Sequence, residues 1–236
     1  ICVIPFLRRS HNDIHPKADI VKGADGVQGN LCHVLNHILD EEFKRGMDVV
    51  LILDDDISYI ERFEVSEITG YGYERYKLSA DEVLQMVEKY SILANDLGAK
   101  FWGLNINPDQ RCYHHNSPFS TKSYIGGPFR CHLKGSRCRY DERLFFKDDY
   151  DMTLQQLNME RVVLRVNAYH YICEQSTNTG GLAAYRNRDR EYEQCEMLIK
   201  KWGRHIFSYD ETNKGHTQKQ KKLDYNLIMK IPIKGV

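Results

Sequence analysis

Three consecutive aspartates, Asp54, Asp55 and Asp56, close the apolar run Val49-Val50-Leu51-Ile52-Leu53. Two carboxylates about 4 Å apart repel by about 4 kcal/mol at an effective dielectric of about 20. A bound divalent cation removes that conflict, and hard carboxylate oxygens suit Mn²⁺ or Mg²⁺. Asp54 and Asp56 are the expected ligands. The plainer alternative is a polar strand end, with Asp56 capping the next segment. A second acidic centre, Lys147-Asp148-Asp149-Tyr150-Asp151, lies roughly ninety residues further on and also follows an apolar run. Alone, it reads as helix-start acids stabilised by the helix dipole, by about 0.3–1 kcal/mol. Paired with the first, it supplies a general base to an acceptor hydroxyl while the first holds the metal.

Other residues admit a chemical and a structural reading. His170, in a late strand, is a candidate third metal ligand or a satisfied core histidine. Arg8 and Arg9 would hold a diphosphate, or stand solvated. Gly180-Gly181 would let backbone approach a sugar or phosphate, or make a plain turn. Trp102 reads as core rather than as a platform for a base. Cys112, His114, His115, Cys131, His132 and Cys138 match no structural zinc spacing.

The elements that must position these residues follow from pattern. Ile1–Leu7 reads as a first strand and residues 10–29 as a long loop. Leu31, Val34, Leu35, Ile38 and Leu39 recur at helical spacing behind Asn30, and Gly46 closes the pattern. Val49–Leu53 reads as a strand buried on both faces, the pattern of a parallel or mixed sheet. Residues 57–77 show poor periodicity and read as an excursion near the site. Ser79 and Glu82 form a capping box before an amphipathic helix that runs to Gly98. Phe101–Ile106, Tyr124–Leu133 and Arg161–Tyr171 are further strand candidates, the second interrupted at Gly126-Gly127. Helices are expected from about Asp148 and around Tyr192–Trp202. These alternations predict one α/β domain, residues 1–208, with a mixed, mostly parallel sheet and helices on both faces. Residues 209–236 form a lysine-rich C-terminal segment.

Thirty-three basic and 33 acidic side chains leave no net charge, so bulk electrostatics do not mark a nucleic-acid binder. Seven cysteines, an odd number without C-x-x-C, favour reduced thiols in a cytoplasmic compartment. No apolar run reaches membrane-spanning length, so no membrane partner is expected. No P-loop or glycine-rich dinucleotide fingerprint is present. Oligomeric state is not encoded in any feature of the pattern.

The first strand with Pro5 and its arginines, the apolar strand ending in Asp54-Asp55-Asp56, and Tyr140-Asp141-Glu142 followed by Lys147–Asp151 together resemble a GT-A nucleotide-sugar glycosyltransferase. With Asn178-Thr179-Gly180-Gly181 and Tyr185-Arg186, the chain from Ile1 to about Trp202 resembles the TET/JBP-associated, DNA-modifying glycosyltransferases. The resemblance implies a divalent cation on Asp54 and Asp56, with Asp55, Arg8, Arg9, Gly180 and Gly181 near a nucleotide-sugar donor such as a UDP-sugar. It implies Asp149 or Asp148 as the base, inversion at the anomeric carbon, and hydroxymethylated pyrimidine in DNA as acceptor. It also implies a host-cytoplasm location for a phage-encoded enzyme. Clustered acids at strand ends equally suit a metal-dependent nucleotidyltransferase or phosphohydrolase. A non-catalytic nucleic-acid-binding module is the remaining alternative, with the lysines from Lys214 to Lys234 as its grip.

Overall fold

Three helices begin where a side chain takes up free N–H groups of the first turn. Asn30 Oδ1 accepts from the backbone of Cys32 and His33 at 3.0 and 3.3 Å at the head of α1 (Leu31–Lys44). Ser79 and Glu82 make the reciprocal capping box of α2 (Ala80–Asp96). Asn187 caps α4 (Arg188–Trp202) through the Arg190 N–H. The exception is α3 (Asp148–Met159), which has no side-chain cap and carries Asp148, Asp149 and Asp151 in its first turn. The structure is a computed structural model and describes residues 2–6, 29–66, 72–173, 187–209 and 227–231, the first of these as backbone.

The strands are β1 (Cys2–Phe6), β2 (Val49–Leu53), β3 (Ile57–Val65), β4 (Tyr73–Lys77), β5 (Phe101–Asn105), β6 (Phe119–Ser120), β7 (Phe129–Leu133) and β8 (Leu164–Cys173). They form one sheet in the order β1-β2-β7-β5-β8-β3-β4, with β6 also beside β8. The domain is α/β with a mixed sheet and helices on both faces, as the pattern predicts. The expected balance of strand directions is reversed. Only β5 and β8 pair in parallel; every other pair in this sheet is antiparallel. The apolar run of β2 reports burial on both faces, which helices provide here whatever the direction of the neighbouring strand. Leu51 faces the α2 side, while Val50 and Ile52 face α1 and α3.

The excursion predicted for residues 57–77 is instead a β-hairpin extending the sheet. Its periodicity is weak because β4 is an edge strand, mostly exposed from Glu74 to Lys77. Trp102 is core: it is fully buried and its indole N–H donates to Ser91 Oγ at 3.1 Å. A third apolar cluster joins Leu154 of α3 to Cys195, Leu198 and Ile199 of α4. It also contains Phe207 and Leu227, from β9 (Phe207–Tyr209) and β10 (Leu227–Met229), which pair antiparallel. The division expected after residue 208 therefore runs through β9, and residues 227–231 pack back on the domain. Lys230, exposed, donates its backbone N–H to Ile206. The tail lysines Lys214, Lys219, Lys221, Lys222 and Lys234 lie outside the described residues. Among the described residues no helix is long and apolar enough to cross a membrane. The six described cysteines are free thiols.

Candidate active site

β7 runs against both β2 and β5, and β5 runs with β8, so β2, β5 and β8 share a direction. Their carboxyl ends meet at one edge of the sheet, together with the start of β7. That edge gathers Asp54, Asn105, Cys173 and the Gly126-Gly127-Pro128 segment. The Asp54 N–H extends the ladder past β2 by donating to Pro128 O at 3.0 Å. A Cβ on Gly127 would have Arg130 Nη2 and Asp149 Oδ2 as its nearest neighbours, both at 3.5 Å. On Gly126 it would collide with the Tyr171 hydroxyl and lie 2.6 Å from Ile106 Cγ2. At Gly126 a side chain would have to displace Tyr171 and Ile106, whereas at Gly127 it would make only ordinary contact; the strand predicted from Tyr124 starts at Phe129.

Two acidic clusters far apart in sequence thus become neighbours. Burial raises the Asp54 carboxyl, and Asp56 and Asp149 add to the rise against the Arg130 guanidinium. Burial likewise pushes Asp148 up to about 6, Arg130 opposing and Asp149 and Asp54 adding. Asp148 forms a buried ion pair with Arg130. Arg130 also donates to the Tyr140 hydroxyl at 3.2 Å, and that hydroxyl lies 2.8 Å from His132 Nε2.

The acids of α3 divide by helical spacing. Asp148 and Asp151, three residues apart, face inward. Asp148 meets Arg130. Asp151 anchors α4, accepting from Lys201 Nζ and from Trp202 Nε1 at 2.8 Å. Beside them the Lys147 ammonium forms a buried ion pair with Glu191. Asp149, about 100° away round the helix, is half-buried and bonded to the Tyr124 hydroxyl and the Tyr150 N–H. It is the less enclosed carboxylate of the pair proposed as base.

Asp54 and Asp56 are half-buried, and Asp55 between them is exposed. The Cys173 thiol bonds to the Asp56 carboxylate, yet Asp56 Oδ1 is buried with no hydrogen-bond partner. Arg130 Nε is orphaned in the same way. Unpaired buried polar atoms ask for an ion or water. Among the described residues no three histidine, cysteine, aspartate or glutamate side chains stand together as a metal cage. Two carboxylates with an orphaned oxygen fit an ion completed by phosphate and water, as is usual for Mg²⁺.

His170 does not join them. It lies three residues, about 10 Å, along β8 from Cys173. Its Nε2 is 2.9 Å from Glu61 Oε2 and its ring stacks on Phe63, both on β3. It is a core histidine, not a third ligand of Asp54 and Asp56. Arg8, Arg9, Gly180 and Gly181 lie outside the described residues. Of the zinc candidates, Cys131 and His132 point to opposite faces of β7, Cys131 toward the α2 side and His132 onto Phe101 and Tyr140.

Sequence reasoning missed Arg130, Tyr124 and Cys173. Arg130 carried a readable signal, a lone arginine inside the apolar strand Phe129–Leu133. Such a charge demands a buried partner. Compared with protein-family models, curated proteins and solved structures, the chain matches none.

Burial, with Arg130 and Arg139 adding, holds the His132 imidazole well below its usual range. The folded protein keeps this ring neutral, whereas the unfolded chain protonates it below about 6.5. Its contribution is therefore complete above about pH 6.5 and is lost as pH falls, by up to about 1.4 kcal/mol per pH unit. Urea unfolding at a series of pH values should show His132→Gln with a flatter acid limb than the parent. Equal slopes would remove His132 as a source of acid lability.

Proposed function

We propose that the protein is a metal-dependent glycosyltransferase that moves a sugar from a nucleotide-sugar donor to an acceptor hydroxyl. The observation that supports this reading is the meeting of Asp54, Asp56, Asp148 and Asp149 around Arg130 at the carboxyl ends of β2, β5 and β8. Ligand sites of open α/β sheets lie at such strand ends. Asp54 and Asp56 would hold Mn²⁺ or Mg²⁺; when bound, the ion neutralises charge on the departing nucleoside diphosphate. Asp149 takes the proton of the acceptor hydroxyl, and its bonds from Tyr124 and the Tyr150 N–H fix the carboxylate for that transfer. Asp148 keeps Arg130 in place and is a positioning residue. A base on the acceptor opposite the leaving group gives inversion. The resemblance to DNA-modifying enzymes makes a hydroxymethylated pyrimidine the first acceptor to test. Labelled donor offered to hydroxymethylated DNA, unmodified DNA and a protein mixture distinguishes that acceptor from the others.

The deciding experiment is a thermal-shift panel of nucleotide sugars with and without Mn²⁺. A ligand at one hundred times its Kd stabilises the folded state by about 2.7 kcal/mol. One donor should raise the melting temperature only when Mn²⁺ is also present. In Asp56→Asn that joint shift should vanish while the fold survives, because one of several repelling carboxylates is gone. Donor and metal binding to Asp56→Asn at parental strength would move the metal elsewhere. Donor stabilisation without metal would end the metal-dependent reading.

A further inference from the structure

Two adjoining cavities of about 380 Å³ each share one residue of their walls, Arg165. The first is walled by Lys122, Tyr124 and Tyr150 and floored by Leu227, Met229 and Ile231. The second opens between Asn105, Tyr113, His114 and Asn167. Among the described residues no acidic side chain lines either one, although the chain as a whole carries as many acids as bases. Lys122 and Arg165 give the first cavity two cations.

Arg165 sits on β8 opposite Gly103, so no side chain from that neighbour covers it. Its Nε donates to Asn167 Oδ1 at 2.9 Å. Among the described residues no carboxylate pairs with it. Arginine in the interior is normally matched by an acid, because an unpaired buried charge is costly. The two fully buried cations near the site follow that rule, Arg130 with Asp148 and Lys147 with Glu191. Burial lowers the Arg165 pKa. A guanidinium of this kind, opening on a cavity with no acid among its described lining residues, is suited to a planar or tetrahedral oxyanion.

The position of the cavities selects which substrate brings the anion. Neither is lined by Asp54 or Asp56, the donor side of the acid group. The first is lined by Tyr124, whose hydroxyl bonds to Asp149. We propose that Arg165, with Lys122, binds a phosphate group of the acceptor, holding it beside Asp149. The anion site stands on geometry alone; its assignment to the acceptor rests on the glycosyltransferase reading. The phosphate would come either from a phosphomonoester or from the phosphodiester of a nucleotide strand.

The test is calorimetric titration in metal-free buffer containing a chelator, with neither donor nor Mn²⁺ present. The probes are inorganic phosphate and a thymidine dinucleotide. The parent should bind at least one of them. Tighter binding of the dinucleotide supports the site and names a diester source; tighter binding of phosphate supports it and names a monoester. Arg165→Gln should weaken the preferred probe by about tenfold or more, the worth of a charge-assisted bond. Lys122→Glu changes an exposed residue, leaves the core untouched and should weaken it as well, so the proposal is tested even if Arg165→Gln unfolds. Parental affinity in both cation variants, or no binding of either probe to the parent, overturns the proposal. Because no donor or metal enters the titration, that outcome leaves the Mn²⁺-dependent donor shift free to stand or fall separately.

Discussion

Asp149→Asn is expected to lower the turnover of sugar transfer by about 10²–10⁴-fold, the usual worth of a general base. Donor affinity should stay at the parental level. The substitution keeps the acceptor that receives the Tyr150 N–H at 2.8 Å, so α3 should start as before. What is lost is the charged oxygen facing the Tyr124 hydroxyl and, by the proposed reaction, the acceptor. Single-turnover kinetics with a saturating donor separates the two quantities. Equal losses of donor binding and turnover would place Asp149 with the metal instead, beside Asp54.

The second large effect concerns stability. Arg130→Met should cost about 3–5 kcal/mol, because it strands the Asp148 carboxylate in the interior. Arg130 is 3% exposed and Asp148 9%, so water cannot replace the lost partner without opening the sheet edge. Domains of this size are stable by about 5–15 kcal/mol, so the loss is a large part of the whole. In the double variant Arg130→Met, Asp148→Leu the stability should largely return, since apolar replacements of a buried ion pair are often neutral. Chemical denaturation of the four proteins closes the cycle. A single variant within about 1 kcal/mol of the parent would mean that the pair is solvated, and with it the role given to Asp148.

Much of this arrangement is legible in the residues themselves. Asn30, and Ser79 with Glu82, fix two helix starts because capping is local chemistry that needs no knowledge of the fold. The run Val49–Leu53 announces burial on both faces, and the acids behind it announce a site. What the pattern does not hold is direction: nothing in five apolar residues says whether a neighbour runs alongside or against them, hence the mistaken preference for parallel strands. Exposed edges are equally silent, and β4, with four exposed residues of five, merged into an apparent loop. His170 failed as a ligand because its companion is Glu61, brought opposite it by the β3–β8 register. Such a pairing depends on a contact 109 residues apart. Arg130 could have been found, Arg165 less readily. The first stands in an apolar strand of five residues. The second is marked only by having no acid beside it among the described residues, which composition cannot reveal.

The sheet divides the interior into two separately filled compartments. On one side Met86, Val87 and Ala94 of α2 pack against Leu51, Trp102 and Leu164. On the other lie α1, α3 and Ile125. The groups assigned to chemistry are mounted on α3, the Tyr124–Pro128 segment and the strand ends, whereas α2 contributes none of them. Effects of substitutions at separated sites without shared partners add to within about 0.3–0.5 kcal/mol. The α2 compartment is therefore a reservoir for engineering. Robustness can be accumulated there, and then spent on destabilising changes of specificity around Tyr124 and Arg165, without either set having to be redesigned for the other.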